Sequence, residues 1–328
     1  MASRFVIDLV VLTAIFSCLG YESLKKAYPW FSIHFLWLSL FGVYQGLTGW
    51  VLNDWHWVNE LGQGIYRTRG FFSNTMTYSY VFAIWIVLYF SLILGNKLKS
   101  KKDLVSILAF FFCGLSLLFT QTRGMWIALA CGVLFVVYQS ARKYFFRIAV
   151  GTGAFFALLL VTVPGMSQRF MSIFDFQNLS NNIRLELWKI HLSLFLEKPV
   201  HGQGFQTKEL ALANYYKNNE SIHSFMGHAH NNLMQIASSM GLLGLSLYVA
   251  TFLGVFVFMY KSLAWLDSSK RKVMVGILAA QVVFHIGGLT ECTLLDSEVI
   301  FSLVINLALG FVLIFESYLE DRKNEVLV

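Results

Sequence analysis

The stretch MTYSYVFAIWIVLYFSLILG, residues 76–95, carries no charged side chain and is long enough to cross a lipid bilayer as a helix. Similar apolar runs recur along the chain, in which 57% of the residues are hydrophobic and only 13% are charged. One water-soluble domain cannot cover so much apolar surface. The runs are continuous rather than alternating in polarity, which favours membrane-spanning helices over a β-barrel.

The apolar windows predict an all-α polytopic membrane protein of about nine transmembrane helices. They lie at 5–21, 30–50, 76–95, 103–121, 124–140, 146–164, 242–261, 273–290 and 298–316. No solenoid-type repeat or low-complexity tract interrupts them. Residues 1–328 are therefore predicted to form a single membrane domain.

Basic side chains predict which connections face the cytoplasm. They fall in alternate short connections and in the C-terminal tail, at Lys25, Lys26, Lys97, Lys99, Lys101, Lys102, Arg142, Lys143, Arg147, Lys261, Lys270, Arg271, Lys272, Arg322 and Lys323. By the positive-inside rule these segments are cytoplasmic. The remaining connections, 50–75, 121–124, 165–230 and 291–297, are then predicted on the outer, periplasmic side. Membrane topology therefore accounts for the net charge of +7. Nucleic acid is excluded as a partner.

Residues 165–230 form the one large polar insertion, predicted to be a periplasmic loop that carries part of the active site. Within it, residues 184–197 place a set of apolar side chains on one helical face: Leu185, Trp188, Leu192 and Phe195. This pattern predicts an amphipathic helix that lies along the membrane surface. Asn181 or Asn182 is expected to cap its start, and Pro199 to end it.

Four outward-facing arginines are candidate anion ligands: Arg67, Arg69, Arg123 and Arg184. Arg123 lies between two apolar segments with almost no loop, so its guanidinium group must be near the bilayer edge. Guanidinium forks suit phosphate oxygens, and a cluster at the membrane edge suits a lipid-linked phosphate or pyrophosphate. The alternatives are ordinary phospholipid headgroups for the cluster and a snorkelling helix anchor for Arg123 alone.

His230 is the candidate general base. The residues after it have helical spacing, so it is predicted at the start of a helix that enters the membrane. A helix N-terminus favours the neutral imidazole that a base needs. Metal binding by His223, His228 and His230 is a competing interpretation, but their spacing matches no standard site and no carboxylate stands beside them. A merely solvated histidine is the other alternative.

His230-Asn231, followed by nine residues and then Gly241-Leu242-Leu243-Gly244, resembles the signature of the O-antigen ligases. That family is grouped with the O-antigen polymerases and the bacterial protein O-oligosaccharyltransferases. Three further segments agree with the family pattern: Thr122-Arg123-Gly124, Arg184-Leu185-Glu186-Leu187-Trp188 leading to Pro199-Val200-His201-Gly202-Gln203-Gly204-Phe205, and Arg69-Gly70-Phe71-Phe72-Ser73-Asn74. The resemblance covers about residues 60–316.

The resemblance implies transfer of a glycan from undecaprenyl pyrophosphate to a sugar hydroxyl of lipid A–core, at the periplasmic face of the bacterial inner membrane, with no metal or other cofactor. By position, Arg123 and Arg184 would bind the donor pyrophosphate and stabilise its charge as it leaves. His230 would take the proton of the acceptor hydroxyl or orient that hydroxyl. The positions assigned to substrate binding are Arg67, Arg69, Asn231 and Trp188.

Two alternatives to the ligase stay open. An O-antigen polymerase shares the fold and the two outer arginines but extends another lipid-linked glycan. A transporter or flippase for lipid-linked oligosaccharides usually needs charged groups near the bilayer midplane and broken helices. Away from their ends, the apolar segments here are free of charged or imidazole side chains except Asp8, His34 and His285. Convergence of Arg123, Arg184 and His230 at one outer cavity would favour an enzyme.

Overall fold

The computed structural model describes residues 21–51, 64–94, 101–162, 165–175, 177–204 and 228–326. Over these residues the regular secondary structure is helical, without a strand, which confirms the all-α prediction. The α-helices are α1 Tyr21–Thr48, α2 Thr75–Leu94, α3 Lys101–Thr120, α4 Arg123–Ser140, α5 Phe145–Thr162, α6 Met166–Met171, α7 Leu179–Glu197, α8 Asn232–Ser262, α9 Ser268–Gly287 and α10 Ser297–Val326.

Four helices in the described part of the chain are long and apolar enough to cross a membrane, so the chain is a helical membrane protein. These segments are Thr75–Leu94, Arg123–Ser140, Asn232–Ser262 and Ser297–Arg322. Helices coincide with every predicted window except 5–21, which lies outside the described residues. The count of nine crossings and the periplasmic side of residues 165–230 stay predictions.

α2 lies at the centre of the bundle. Successive side chains on all its sides are buried, among them Phe82, Ala83 and Ile84, because α3, α4, α9 and α10 pack around it. α9 packs along both α2 and α4, and α1 packs along α3. A helix that is apolar all round suits this central position.

Several connections meet at one end of the bundle, which we call the site end. The backbone N–H of Thr68 donates to Phe119 O at 3.2 Å, and that of Asn232 donates to Gly288 O at 2.7 Å. The site end comprises residues 64–74, 119–124, 165–175, 177–184, 228–235 and 287–297. It therefore gathers described parts of all four connections that the sequence predicts on the outer side.

The amphipathic helix predicted in the large loop is observed as α7, but its first turn differs from the prediction. Asn178 is the N-cap, and its side chain accepts from the N–H of Ser180 at 3.2 Å. Capping by Asn181 or Asn182 is wrong, since both lie inside the first turn. On the predicted apolar face, Leu185 and Leu192 are exposed, whereas Trp188 and Phe195 are half-buried. A second stripe, formed by Ile183, Leu187, His191 and Leu194, is buried.

α8 is broken at Gly241, where φ is 65° and ψ is −164°. Residues 199–204 pair with the interrupted backbone on both sides of the break. The bonds run from Gln203 N to Ser238 O (2.9 Å), Gly204 N to Ser239 O (2.8 Å), Leu242 N to Pro199 O (2.7 Å) and Leu243 N to Val200 O (3.2 Å). The break therefore leaves few backbone groups without partners, which is a requirement in a membrane.

Candidate active site

A cavity of about 190 Å³ opens at the site end. Its charged and imidazole lining residues are Arg67, Arg123, Arg169, Arg184, His230 and Glu291. The structure thus brings together Arg67, Arg123, Arg184 and His230, as the sequence predicts, and adds Arg169 and Glu291, which are not among the predicted site residues.

Two of the arginines hold the tight turn that precedes α4. Arg67 Nε donates to Thr120 O at 2.8 Å, and Arg169 Nε donates to Gln121 O at 3.3 Å. Gln121 has a φ of 49°, which is uncommon for a residue with a Cβ. The terminal nitrogen Nη2 of Arg67 is buried and has no hydrogen-bond partner among the described residues. Because Arg67 bonds to the turn through Nε, its Nη2 remains available to donate to a ligand in the cavity.

Arg123 joins the start of α4 to the segment between α6 and α7. Its Nη1 donates to the carbonyl and hydroxyl oxygens of Ser172 at 2.6 and 2.8 Å, and its Nη2 donates to Asn181 Oδ1 at 3.0 Å. All three acceptors are neutral, so the guanidinium group is fixed in position while its charge stays uncompensated. The Asn181 side chain is itself fixed, because its Nδ2 donates to Ser172 O at 2.9 Å and to Asp175 O at 2.8 Å.

The positive charges in the cavity repel one another. Burial first, and then the charges of Arg169, Arg184 and Arg123, lower the pKa of Arg67 to about 10. Burial and the charge of Arg184 likewise lower the pKa of Arg169. Arg184 makes no hydrogen bond to another described residue. The cavity therefore presents a concentrated positive field to which an anion would be attracted.

His230 and Glu291 form a hydrogen-bonded pair on the cavity wall. His230 Nδ1 lies 2.8 Å from Glu291 Oε1, which also accepts from the N–H of Cys292 at 3.1 Å. Burial alone raises the pKa of Glu291, but the bond to His230 and the charges of His230 and His228 outweigh it, so the net shift is downward. An ionised Glu291 requires Nδ1 to carry the proton, and a neutral His230 then has its lone pair on Nε2.

His228 adds a third candidate metal ligand. Its ring packs edge to face on that of His230 at 4.2 Å, and donor atoms of His228, His230 and Glu291 all lie within 4.8 Å of one another. A carboxylate does stand beside the histidines, contrary to the sequence prediction, because Glu291 follows α9 and α9 packs against α8. Two histidines and one glutamate can bind zinc, but four arginines oppose a cation here. His223 lies outside the described residues.

The other predicted substrate ligands do not line the cavity. Asn231 caps α8, accepting from the N–H groups of Leu233 and Met234 at 2.9 and 3.1 Å, and donates to Leu289 O at 3.0 Å. Trp188 Nε1 donates to Ala229 O at 3.0 Å. These two side chains hold the residues on either side of His230.

Arg69 is also outside the lining, although it follows the cavity residue Arg67 by two positions. Its backbone N–H and that of Gly70 donate to Gln45 Oε1 at 2.8 and 2.9 Å. The backbone of this segment is thus fixed to α1. A role of Arg69, Asn231 or Trp188 in substrate binding stays a prediction.

The sequence predicts no role for Arg169, and for Glu291 it leaves two alternatives open, a ligand of the acceptor sugar and a solvated loop residue. Both stand in predicted outer connections, 165–230 and 291–297. An outward arginine departs from the positive-inside rule, so the argument applied to Arg123 could have found Arg169. Nothing in the local sequence pairs Glu291 with His230, since 61 positions separate them.

Fold and site together define a helical membrane protein with an arginine-lined cavity and a histidine–glutamate pair at one end. Residues 108–249 match a family described as O-antigen ligase, which confirms the resemblance seen in the sequence. Two proteins named as candidate polysaccharide ligases, from Rickettsia typhi and Rickettsia prowazekii, are each 25% identical to this chain over 151 and 154 residues. The alignments cover 42% of this chain, and the chain spans only 34% of the length of each relative.

Proposed function

We propose that this protein is an O-antigen ligase-like glycosyltransferase that moves a glycan from undecaprenyl pyrophosphate to a sugar hydroxyl of lipid A–core. The observation that carries the proposal is the convergence of four guanidinium groups and the His230–Glu291 pair on one cavity. The match to the O-antigen ligase family supports the reaction class.

The arginines are assigned to the donor pyrophosphate. Arg123 is held by Ser172 and Asn181, so it is preorganised for charge that develops as the pyrophosphate leaves. Arg184 has no competing partner among the described residues and is the second charge-stabilising group. Arg67 and Arg169 complete the cluster. Because guanidinium groups stabilise the departing anion, the leaving group needs no proton.

His230 is assigned to the acceptor. Its Nε2 accepts the hydroxyl proton as the acceptor oxygen bonds to the anomeric carbon. The bond between that carbon and the pyrophosphate oxygen breaks, and its electron pair stays on the pyrophosphate. Glu291 fixes the ring and stabilises the imidazolium that forms, as a carboxylate partner does for a catalytic histidine. Trp188 and Asn231 are positioning residues for the backbone around His230.

The site end is assigned to the periplasmic face of the bacterial inner membrane. Exposed basic residues lie toward the opposite end, for example Arg142 and Lys143 after α4, and support this orientation. A broken helix is one mark of a transporter, but the break in α8 is closed by residues 199–204. It therefore gives no reason to prefer transport.

The test is transfer in vitro by purified protein, with a lipid-pyrophosphate-linked glycan and lipid A–core, with and without a chelator. We compare the unmodified chain with His230→Ala and Arg184→Ala, and use Arg142→Gln as a matched control because Arg142 is exposed at the other end of α4. Transfer that survives chelation and is lost only in the site variants is expected. Size-exclusion profiles and melting curves establish that each variant is folded.

Three other outcomes would change the assignment. Lengthening of the glycan on the lipid carrier, with none on lipid A–core, would indicate a polymerase. Loss of transfer on chelation, restored by zinc, would make His228, His230 and Glu291 a metal site. No chemistry on either acceptor would reopen transport, tested by movement of the lipid-linked glycan across reconstituted vesicles.

A further inference from the structure

The cavity holds more positive charge than one donor headgroup supplies in negative charge. Among the described residues that line the cavity, four arginines face a single carboxylate, Glu291, which is already bonded to His230 and Cys292. The Nη2 nitrogen of Arg67 is buried without a partner in the described structure. These unsatisfied donors and the mutual repulsion of the arginines favour whichever ligand brings the most negative charge.

The proposed reaction changes that ligand charge. In the donor each phosphorus is substituted on both sides and carries one negative charge, about −2 in total. After transfer the terminal phosphate is a monoester whose second ionisation lies near pH 6, so the product carries roughly −2.5 to −3 at neutral pH. The cleaved oxygen also becomes a new acceptor, and charge-assisted hydrogen bonds to guanidinium groups are the strong ones.

From this difference we infer that the cavity binds the released pyrophosphate monoester more tightly than the donor, so that product release limits turnover. The inference rests on the proposed function. The ligand chemistry is a terminal pyrophosphate, shared by inorganic pyrophosphate and by a polyprenyl pyrophosphate. The class of reaction that must consume this product is hydrolysis to the monophosphate, which removes charge and so prevents the released product from binding again.

The first experiment measures binding without turnover. Purified protein in detergent is titrated with inorganic pyrophosphate, orthophosphate, polyprenyl pyrophosphate and polyprenyl monophosphate, and the dissociation constants are read by calorimetry and by the rise in melting temperature. Each pyrophosphate is expected to bind at least about tenfold more tightly than the matching monophosphate, the effect of one charge-assisted hydrogen bond. Arg67→Gln and Arg169→Gln should remove this preference, whereas Arg142→Gln should keep it.

Inorganic pyrophosphate and polyprenyl pyrophosphate together distinguish binding of the headgroup from binding of the polyprenyl chain. Tight binding of both places recognition in the headgroup, as inferred. Equal affinity for polyprenyl pyrophosphate and polyprenyl monophosphate would overturn the inference, because the polyprenyl chain would then supply the affinity. Equal affinity for polyprenyl pyrophosphate and the intact donor, titrated without acceptor, would also overturn it, because the inference requires the product to bind more tightly.

The second experiment measures turnover. The first turnover is expected to be faster than the steady state, and a phosphatase that hydrolyses the released lipid pyrophosphate should prevent the further fall in rate as product accumulates, without changing the first turnover. Inorganic pyrophosphate should compete with the donor. Equal first-turnover and steady-state rates, unaffected by phosphatase, would overturn the inference while leaving the ligase assignment intact. Pyrophosphate binding without any glycosyl transfer would instead contradict the ligase assignment.

Discussion

Gly202 and Gly241 face each other so closely that neither position has room for a side chain. A Cβ on Gly202 would lie 2.4 Å from Met240 N, and a Cβ on Gly241 would lie 2.4 Å from the carbonyl group of Val200. Both residues also have positive φ, 67° and 65°. Gly202 belongs to the segment 199–205 and Gly241 to the motif that begins at His230. Their contact explains why both motifs contain a glycine at these positions.

Replacing Gly241 with alanine should destabilise the protein by about 1–3 kcal/mol or more, because strained φ and backbone overlap add. The measurement is thermal melting in detergent. Gly254→Ala in the same helix is the matched control: it has no neighbour within 4 Å and should gain about 0.5–1 kcal/mol of helix stability. Equal melting of the two variants would contradict the close contact.

Glu291→Gln should lower the rate of transfer by at least about 100-fold. Without the carboxylate, the His230 ring is no longer held in its orientation and its imidazolium form is no longer stabilised. Donor KM should change little, since the arginines remain. A fall in donor affinity with an unchanged kcat would show that Glu291 acts on the donor instead. The control is Glu186→Gln, whose carboxylate pairs with exposed Lys189 at 2.7 Å.

The stability of the protein should depend on Glu291 ionisation at acid pH. The folded pKa of this carboxyl is below its ordinary value of 4.5, so its ionisation stabilises the fold above that pH and this contribution is lost as pH falls through the folded value. The difference in unfolding free energy between the unmodified chain and Glu291→Gln should therefore narrow from pH 7 to pH 3. A constant difference would contradict the downward shift.

Arg123→Lys should reduce transfer by roughly 10–100-fold, because an ammonium group cannot reach Ser172 and Asn181 together and charged hydrogen bonds contribute about 1.5–3 kcal/mol each. Asn181→Ala removes one of these partners. If Asn181 acts by holding Arg123, the double variant should be no worse than Arg123→Lys alone. Additive losses would assign Asn181 an independent role.

Arg184→Gln should abolish most transfer, by about 100-fold or more, without lowering the melting temperature. Its guanidinium group forms no hydrogen bond within the described structure, and its charge contributes to the lowered pKa of Arg67 and Arg169. Relief of that repulsion should leave stability equal or slightly higher. Melting curves and transfer assays on the same sample check this, and a large loss of stability would mean that Arg184 is structural.

Trp188→Phe should lower kcat several-fold and leave both KM values unchanged. The variant keeps the aromatic ring but loses the hydrogen bond to Ala229 O, worth about 0.5–1.5 kcal/mol, so the backbone before His230 loosens. A rise in the KM of either substrate with kcat intact would support the direct contact predicted from the sequence.

Composition and local pattern determined the class of fold. Long apolar windows must be helical in lipid because backbone groups have no other partners there, and helices are found at 76–95 and at the other windows that the structure describes. Arg123 and Arg184 were singled out because they lie outside although most basic residues lie on the cytoplasmic side, and His230 because helical spacing begins just after it.

Tertiary structure alone decided which of these residues meet and what each one contacts. Glu291 reaches His230 across 61 positions, Arg169 joins the cavity through the turn at Gln121, and Asn181 binds Arg123 instead of capping α7. Asn231 and Trp188 turn toward the backbone beside His230. Periodicity reports how each helix divides its surface between lipid and protein, but helix packing sets which side chains from distant segments come within hydrogen-bonding distance.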